Sequence, residues 1–301
     1  MTTAPAQAPV RTGGAAWSLN RIDPKYLIVF LITLVLVVGE ARYSILGGYN
    51  RLATTLGICV ATEVFLSWFL RGRVVNLSSA YITGISLALL IKPQANILWP
   101  FALGAFLAIA SKYVLTYRGR HLWNPSNFAI ALLLLVAANS VAILSHQWGN
   151  DIGTNLVIWA FGLVVAWRAR VLHVTLTYVV CFLVFASIRN LIVGGPYLAE
   201  IAPITGPMYQ LFVFFMVTDP RTTVSTRRGR VIVVATVALL ESIIRLAGDF
   251  QVPLLRPLYV SPPILALAIV GPIAMFLDLR RQAVPAVRPA SQPAVALGGE
   301  P

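Results

Sequence analysis

Residues 26–39 read YLIVFLITLVLVVG, a run without a charged side chain. The hydrocarbon core of a bilayer is about 30 Å thick, and a helix that rises about 1.5 Å per residue needs about 20 mostly apolar residues to cross it. The apolar character continues to about residue 45, so the run is long enough. It predicts a first transmembrane helix over residues 26–45.

The remainder of the chain repeats this pattern. Of its 301 residues, 58% are hydrophobic and only 11% are charged, and the mean hydropathy is +0.81. This leaves too little polar surface to coat a water-soluble globule. Further apolar runs lie near residues 52–70, 74–91, 97–115, 128–145, 152–167, 171–193, 204–217, 230–248 and 258–277. We therefore predict an all-α membrane protein with about ten transmembrane helices.

Lysine and arginine are distributed unequally between the two sides of this predicted topology. Sixteen of the 23 basic residues fall on one side and six on the other, while Lys112 lies within a span. Cytoplasmic loops of membrane proteins carry the excess of such residues. The count predicts a multi-pass membrane protein with both termini in the cytoplasm. It also explains the basic charge without nucleic acid as a partner.

The predicted spans divide the chain into two halves, residues 26–145 and 152–281. A cytoplasmic segment, residues 1–25, precedes them, and a Pro/Ala-rich tail, residues 282–301, is predicted to be disordered. The third span of each half ends at a proline, at Pro93 and at Pro220. Five spans per half make equivalent helices antiparallel, as in the inverted repeats of transporters. The alternative is that the two prolines merely end two unrelated helices.

Two acidic residues fall inside predicted spans, Glu63 in the second and Glu241 in the ninth. Ionisable groups in a membrane are costly and are functional candidates by default, so we predict an ion path through both. Arg245 follows Glu241 by one helical turn, a spacing at which a structural ion pair is an equal alternative. Glu63 has no local partner, which favours function or a tight interhelical hydrogen bond. Lys112 is predicted to extend its amine to the cytoplasmic surface.

Side chains for direct catalysis are not evident. Three histidines and two cysteines are spaced unlike the ligands of a haem, a zinc ion or an iron–sulfur cluster, so no metal is predicted. Neither a Gly-rich nucleotide loop nor a Gly-x-Ser-x-Gly motif occurs. A hydrolase or kinase of the soluble type is excluded, and no catalytic residue is predicted.

Two predicted cytoplasmic loops combine polar side chains with residues that restrict the backbone. In the first, Asn124-Pro125 interrupts the chain, and Ser126 or Asn127 is predicted to cap the fifth helix. The second, residues 216–230, places an arginine cluster beside small hydroxyls, a composition suited to phosphate or lipid head groups, although topogenic charge alone also explains the arginines. The candidate cofactor-binding residues are Asn124, Ser126, Asn127, Thr218, Asp219 and Arg227.

These loops carry a resemblance to a known family. The matching stretches are Ser111-Lys112-Tyr113, Arg118-Gly119-Arg120-His121, Asn124-Pro125-Ser126-Asn127-Phe128, and Phe215-Met216-Val217-Thr218-Asp219-Pro220 followed by Gly229-Arg230. They resemble the NqrB/RnfD family, membrane subunits of the sodium-pumping NADH:quinone oxidoreductase and of the Rnf electron-transport complex. The resemblance implies ten spans in two inverted halves, a role in coupling redox chemistry to ion or electron transfer, and other membrane or redox subunits as partners.

The resemblance also implies a cofactor. In that family electrons pass through flavins, one of them an FMN joined to a Thr in a Ser-Gly-Ala-Thr type motif. The present sequence lacks the motif, and Thr154 is the nearest hydroxyl of the right kind, so covalent FMN is not expected. A noncovalent flavin (riboflavin or FMN) or a quinone is the expected cofactor. The alternative is a flavinless transporter or accessory membrane protein of the same fold, similar to the UnbU proteins that accompany enediyne biosynthesis.

Overall fold

The computed structural model describes residues 24–93, 97–143 and 151–282, and this part of the chain is mostly helical. The predicted terminal segments, residues 1–25 and 282–301, lie almost entirely outside these ranges, and His146 lies outside them. The helices are α1 (Pro24–Tyr43), α2 (Tyr49–Arg71), α3 (Ser78–Leu90), α4 (Trp99–Val114), α5 (Pro125–Val136), α6 (Ile152–Arg168), α7 (Leu172–Val193), α8 (Tyr197–Ile201), α9 (Pro207–Leu211), α10 (Arg227–Asp249) and α11 (Pro262–Arg281). The strands are β1 (Ile91–Pro93), β2 (Thr116–Tyr117), β3 (Arg120–His121) and β4 (Val141–Ile143).

Five helices in the described residues are long and apolar enough to cross a membrane. They are α1, α2, α7, α10 and α11, and their bounds lie within a few residues of the predicted runs. A sixth candidate is a bent pair, Tyr197–Thr205 and Met208–Met216, whose axes differ by 58°. Helices α3, α4, α5 and α6 are apolar but only 12 to 17 residues long. Ten spans therefore remain a prediction.

The short helices end early for identifiable reasons. Helix α3 is buried on every face from Thr83 to Leu90 and stops where the chain extends toward Pro93. The extended residues form β1, which pairs antiparallel with β4. The predicted fifth span, residues 128–145, is described as far as residue 143: the 12-residue helix α5 ends at Val136 and is followed by a turn and strand β4. Pairing between β1 and β4 satisfies backbone groups that a continuous helix would otherwise have satisfied.

Two groups of helices pack in the same way. Helix α4 lies between α2 and α5, and α10 lies between α7 and α11. Helices α1 and α6 pack against each other and run in opposite directions. The end of α1 lies beside the start of α6, where the Tyr43 hydroxyl donates to Asp151 over 2.5 Å. The Phe30 and Phe161 rings meet further along the same pair, with centroids 6.3 Å apart.

The loop between α4 and α5 returns into the helical body along α11. Near the start of the loop the Arg118 guanidinium donates to the carbonyl of Leu279, and just beyond its end, in the first turn of α5, the Asn127 side chain donates to the carbonyl of Ile264 over 3.0 Å. Those carbonyls are 279 − 264 = 15 residues apart, which is about 22 Å along a helix. The first turn of α5 is therefore far from the end of α11 that carries the arginines, and Asn124, which precedes that turn, is half-buried.

Candidate functional site

A cavity of about 400 Å³ lies between α1, α3, α4 and α6 and the two loops singled out in the sequence. Its exposed rim includes Pro220 and Arg221. Apolar walls come from Ile28, Ile82, Val165, Phe214, Phe215 and Met216. Polar groups come from Ser79, Thr83, Ser86, Lys112, Asn124 and Asp219. We call this space the central cavity.

The aromatic wall of the central cavity depends on a glycine. Gly162 of α6 faces the Phe214 ring, and a Cβ atom at position 162 would overlap the carbon atoms of that ring. Phe214 belongs to a π-helical turn, Phe212–Met216, that ends just before the second loop. Such turns are rare and occur often at functional sites.

Asn124 joins the two loops. Its side-chain oxygen accepts the backbone N–H of Asn127 over 3.0 Å, which makes Asn124 the N-cap of α5. The predicted caps, Ser126 and Asn127, were wrong, because the helix already begins at Pro125, a residue well suited to a first helical position. The Asn124 amide nitrogen donates to Oδ2 of Asp219, also over 3.0 Å.

Asp219 organises the second loop. Its Oδ1 accepts the backbone N–H of Arg221 over 3.0 Å, and its Oδ2 accepts the Thr222 hydroxyl over 3.1 Å in addition to the Asn124 amide. Bonds of this kind between an aspartate and the backbone two residues later stabilise tight turns. The carboxylate thereby fixes the chain at the Thr218-Asp219-Pro220 break.

The other predicted cofactor-binding residues divide into two groups. Ser126 and Thr218 line the central cavity, and the Thr218 hydroxyl donates to the carbonyl of Phe214 over 2.7 Å. Asn127 is buried beside the cavity without lining it, and its amide donates to Ile264 of α11. Arg227 is exposed at the first position of α10, after the Thr226 cap, and does not line the cavity.

Glu63 has partners that its own helix did not reveal. The Lys112 amine donates to its Oε2 over 2.9 Å, and the Tyr113 hydroxyl donates to its Oε1 over 2.8 Å. The predicted extension of Lys112 to the surface is wrong, because its side chain is 6% exposed and lies on the cavity wall. The sequence pointed to this ion pair only through the general tendency of opposite charges buried in a membrane to pair.

Glu241 forms a second buried polar cluster, in the other half of the chain. Arg245 donates to its Oε1 over 3.0 Å, so the contact expected from their spacing is confirmed. The hydroxyls of Tyr178 and Tyr209 also donate to this carboxylate. This cluster lies outside the central cavity.

His121 and Asp151, which precede α5 and α6 in the chain, have shifted pKa values. Burial lowers the pKa of the His121 imidazole, and the negative charge of Asp219 opposes that shift. His121 lines the central cavity, and its Nδ1 atom is buried without a hydrogen-bond partner among the described residues. Hydrogen bonds from Tyr43 and Thr154 hold the pKa of Asp151 below its usual value. Thr154, the hydroxyl nearest to a flavin attachment site in sequence, is buried and already bonded to both residues.

The fold and the central cavity together define a class: a helical membrane protein with a partly polar cavity between its helices. Within the described residues, no group of three His, Cys, Asp or Glu side chains is placed to hold a metal ion. Comparison with protein-family models and with curated proteins gave no match for this chain.

Proposed function

We propose that the protein is an integral membrane subunit of the electron-transport type, with a noncovalent flavin (riboflavin or FMN) or a quinone in the central cavity. The cavity itself carries this proposal. Its volume of about 400 Å³ lies in the range of small-molecule sites, about 300–1,000 Å³. Aromatic and aliphatic walls suit a planar ring, and a few convergent polar groups suit the carbonyl groups of a flavin or quinone. The loops that resemble NqrB/RnfD proteins supply part of this wall.

The ten-span, inverted-repeat architecture belongs to the same proposal. The starts of α5 and α11 correspond, because both helices have proline in their first positions. Asn127 and Ile264 are each the third residue of their helix, and they are joined by a hydrogen bond. A contact between equivalent residues is expected at a two-fold axis. The antiparallel packing of α1 and α6 supports the same relation.

The proposed ion path uses the two buried acids. Each lies between the second and fourth helices of its half: Glu63 between α2 and α4, and Glu241 between α7 and α10. Matching positions in two halves favour a shared role in transfer across the membrane over two unrelated ion pairs. In this proposal, redox chemistry in the cavity drives movement of an ion past these groups.

A test of the cofactor is the absorption spectrum of the purified protein. We expect flavin bands in the visible region, or a quinone in an organic extract. The cofactor should separate from the chain on denaturation, because no attachment motif is present. Thr154→Ala should carry as much cofactor as the wild type. Flavin fluorescence that stays with the denatured chain and disappears in Thr154→Ala would contradict the noncovalent proposal.

The second candidate function is a flavinless transporter or accessory protein of the same fold, similar to UnbU. The buried ion pair between Glu63 and Lys112 favours it, because Lys112 lines the cavity and such pairs mark substrate and ion pathways in transporters. The same spectrum separates the candidates. Protein that is folded and free of flavin and quinone supports the transporter and rejects the electron-transport role.

The proposed orientation places both termini in the cytoplasm of a bacterial inner membrane, where other membrane or redox subunits are the expected partners. The arginine-bearing loops lie together, because Arg120 donates to the carbonyls of Pro220, Arg221 and Thr223. They adjoin the end of α11, where Arg118 contacts Leu279. This arrangement supports a single strongly basic face, as the positive-inside rule requires.

Reporter fusions test this orientation. A reporter fused after Arg281 should be active in the cytoplasm, and one inserted at Asn150 should be active outside, because the basic face is retained inside. Alkaline phosphatase and green fluorescent protein give opposite readouts and serve as mutual controls. A cytoplasmic signal at Asn150 would contradict the ten-span topology.

A further inference from the structure

Lys112 takes part both in the wall of the central cavity and in a buried ion pair. It lines the central cavity, and it forms the ion pair with Glu63. Its amine donates to Glu63 over 2.9 Å and to the Ser79 hydroxyl over 3.1 Å. An ammonium group has three N–H donors, and the described residues account for two of them. The third is left for whatever occupies the cavity.

The surroundings of Lys112 hold its amine in place. Glu63 cannot turn away easily, because its second carboxylate oxygen accepts the Tyr113 hydroxyl over 2.8 Å. Both Glu63 and Lys112 are about 95% buried, and their helices α2 and α4 pack along their length. A donor fixed in this way by surrounding contacts is typical of a binding site, where it lowers the entropy lost on binding.

Two further features of the same wall indicate a ligand. Ser79, Thr83 and Ser86 occupy one face of α3 and line the cavity, as their spacing of four and three residues requires. His121 lines the cavity too, and its buried Nδ1 atom has no partner in the part of the chain that the structure describes. Buried polar atoms without partners are rare in native proteins and need an explanation.

We propose that Lys112 is the anchoring residue of the central cavity, donating its third N–H to a carbonyl or anionic oxygen of a planar ring compound. Glu63 and Tyr113 are positioning residues, which act through Lys112. The compound class rests on the proposed function, while the role of Lys112 as a cavity donor rests on its contacts. The same ammonium group disfavours a cationic ring beside it.

Lysine chemistry gives a sharp test, because the chain has only three lysines: Lys25, Lys92 and Lys112. Pyridoxal 5′-phosphate is the probe, since it is a planar ring with an aldehyde and a phosphate. The lysine nitrogen adds to the aldehyde carbon and water leaves; borohydride then supplies hydride to that carbon, and solvent supplies a proton to nitrogen. Mass spectrometry of the purified protein in detergent locates each modified lysine.

We expect modification of Lys112 to saturate with probe concentration, while that of Lys92, exposed on β1, rises in proportion to it. Ser86→Trp fills the cavity and should reduce Lys112 modification at least tenfold without changing Lys92. Leu103→Trp, on an exposed part of α4, is the matched control and should leave both unchanged. Modification of Lys112 only after denaturation, or without saturation and without an effect of Ser86→Trp, would overturn the proposal.

Riboflavin and menadione separate this inference from the proposed function. Protection of Lys112 by either compound supports both the anchor and the cofactor. Saturable modification without protection supports the anchor and counts against these cofactors. If the protein purifies with flavin, Lys112→Met should reduce the bound amount at least tenfold, whereas retention of wild-type flavin would leave the proposed function standing and reject the anchor.

Discussion

Lys112→Met is expected to lower the free energy of unfolding by about 3–5 kcal/mol, the cost typical of removing one partner from a buried ion pair. Methionine has nearly the length of lysine, so packing against α3 is largely kept. The loss comes from Glu63, which is 4% exposed and would keep a buried negative charge with the Tyr113 hydroxyl as its only hydrogen-bond donor among the described residues. Unfolding in mixed micelles, followed by circular dichroism, measures the difference.

The double variant Glu63→Gln/Lys112→Met is the decisive comparison. It removes both charges, so we expect it to be more stable than Lys112→Met alone, in spite of the additional substitution. Arg42→Gln is a matched surface control, because Arg42 pairs with Asp151 at 3.7 Å but its side chain is 70% exposed. It should cost less than about 1 kcal/mol. A loss in the double variant equal to the sum of the losses in Lys112→Met and in Glu63→Gln alone would show that the two charges are not coupled.

The sequence predicted the long helices well for a physical reason. A span must remain apolar for about 20 residues, and a pattern of that length is hard to produce by chance. Helices α2 and α7 begin and end within three residues of the predicted runs. The shorter elements were not predictable in extent, because hydropathy does not distinguish an apolar helix from the short strands β1 and β4 that follow α3 and α5. Tertiary pairing decides between them.

Local chemistry decides the backbone at the two loops that the sequence singled out. Asn124-Pro125 and Asp219-Pro220 both interrupt the chain, and the structure places both interruptions on one cavity. Prediction failed for Lys112, because its partner Glu63 is 49 positions away and only packing of α2 on α4 brings them together. Arg227 was included for its charge, yet a residue at the exposed start of α10 is solvated.

Asp219→Asn is expected to disturb the junction of the two loops although it preserves size. The carboxylate accepts Arg221 N–H at one oxygen and the Asn124 amide at the other. Asparagine offers only one acceptor oxygen, so its amide nitrogen must face one of these donors. Asn124 cannot rotate to compensate, because its own oxygen caps α5 through Asn127. One hydrogen bond is therefore lost, and the new amide nitrogen faces another N–H donor. Together these changes cost about 1–3 kcal/mol.

Binding in the central cavity should weaken as a result. We expect Asp219→Asn to insert normally into the membrane and to bind riboflavin about 10- to 100-fold more weakly, the equivalent of about 1.4–2.8 kcal/mol. The Thr218-Asp219-Pro220 break lines the cavity, so its displacement changes the wall directly. Arg227→Gln should change affinity less than about twofold, because Arg227 is exposed and outside the cavity. Quenching of riboflavin fluorescence measures both.

An exchanged pair, Asn124→Asp/Asp219→Asn, separates geometry from charge. In this variant one oxygen of the carboxylate introduced at position 124 still caps α5, its other oxygen accepts the new amide at position 219, and the remaining oxygen at position 219 accepts Arg221 N–H. These three contacts are restored, and the Thr222 hydroxyl, which donates to the carboxylate in the wild type, accepts from the new amide instead. We therefore expect stability within about 1 kcal/mol of the wild type and recovery of most of the affinity. Restored stability without restored binding would mean that the charge itself at position 219 acts on the ligand. Wild-type binding in Asp219→Asn alone would show that the loop is only a connector, and the role assigned to the Thr218-Asp219-Pro220 break would have to be abandoned.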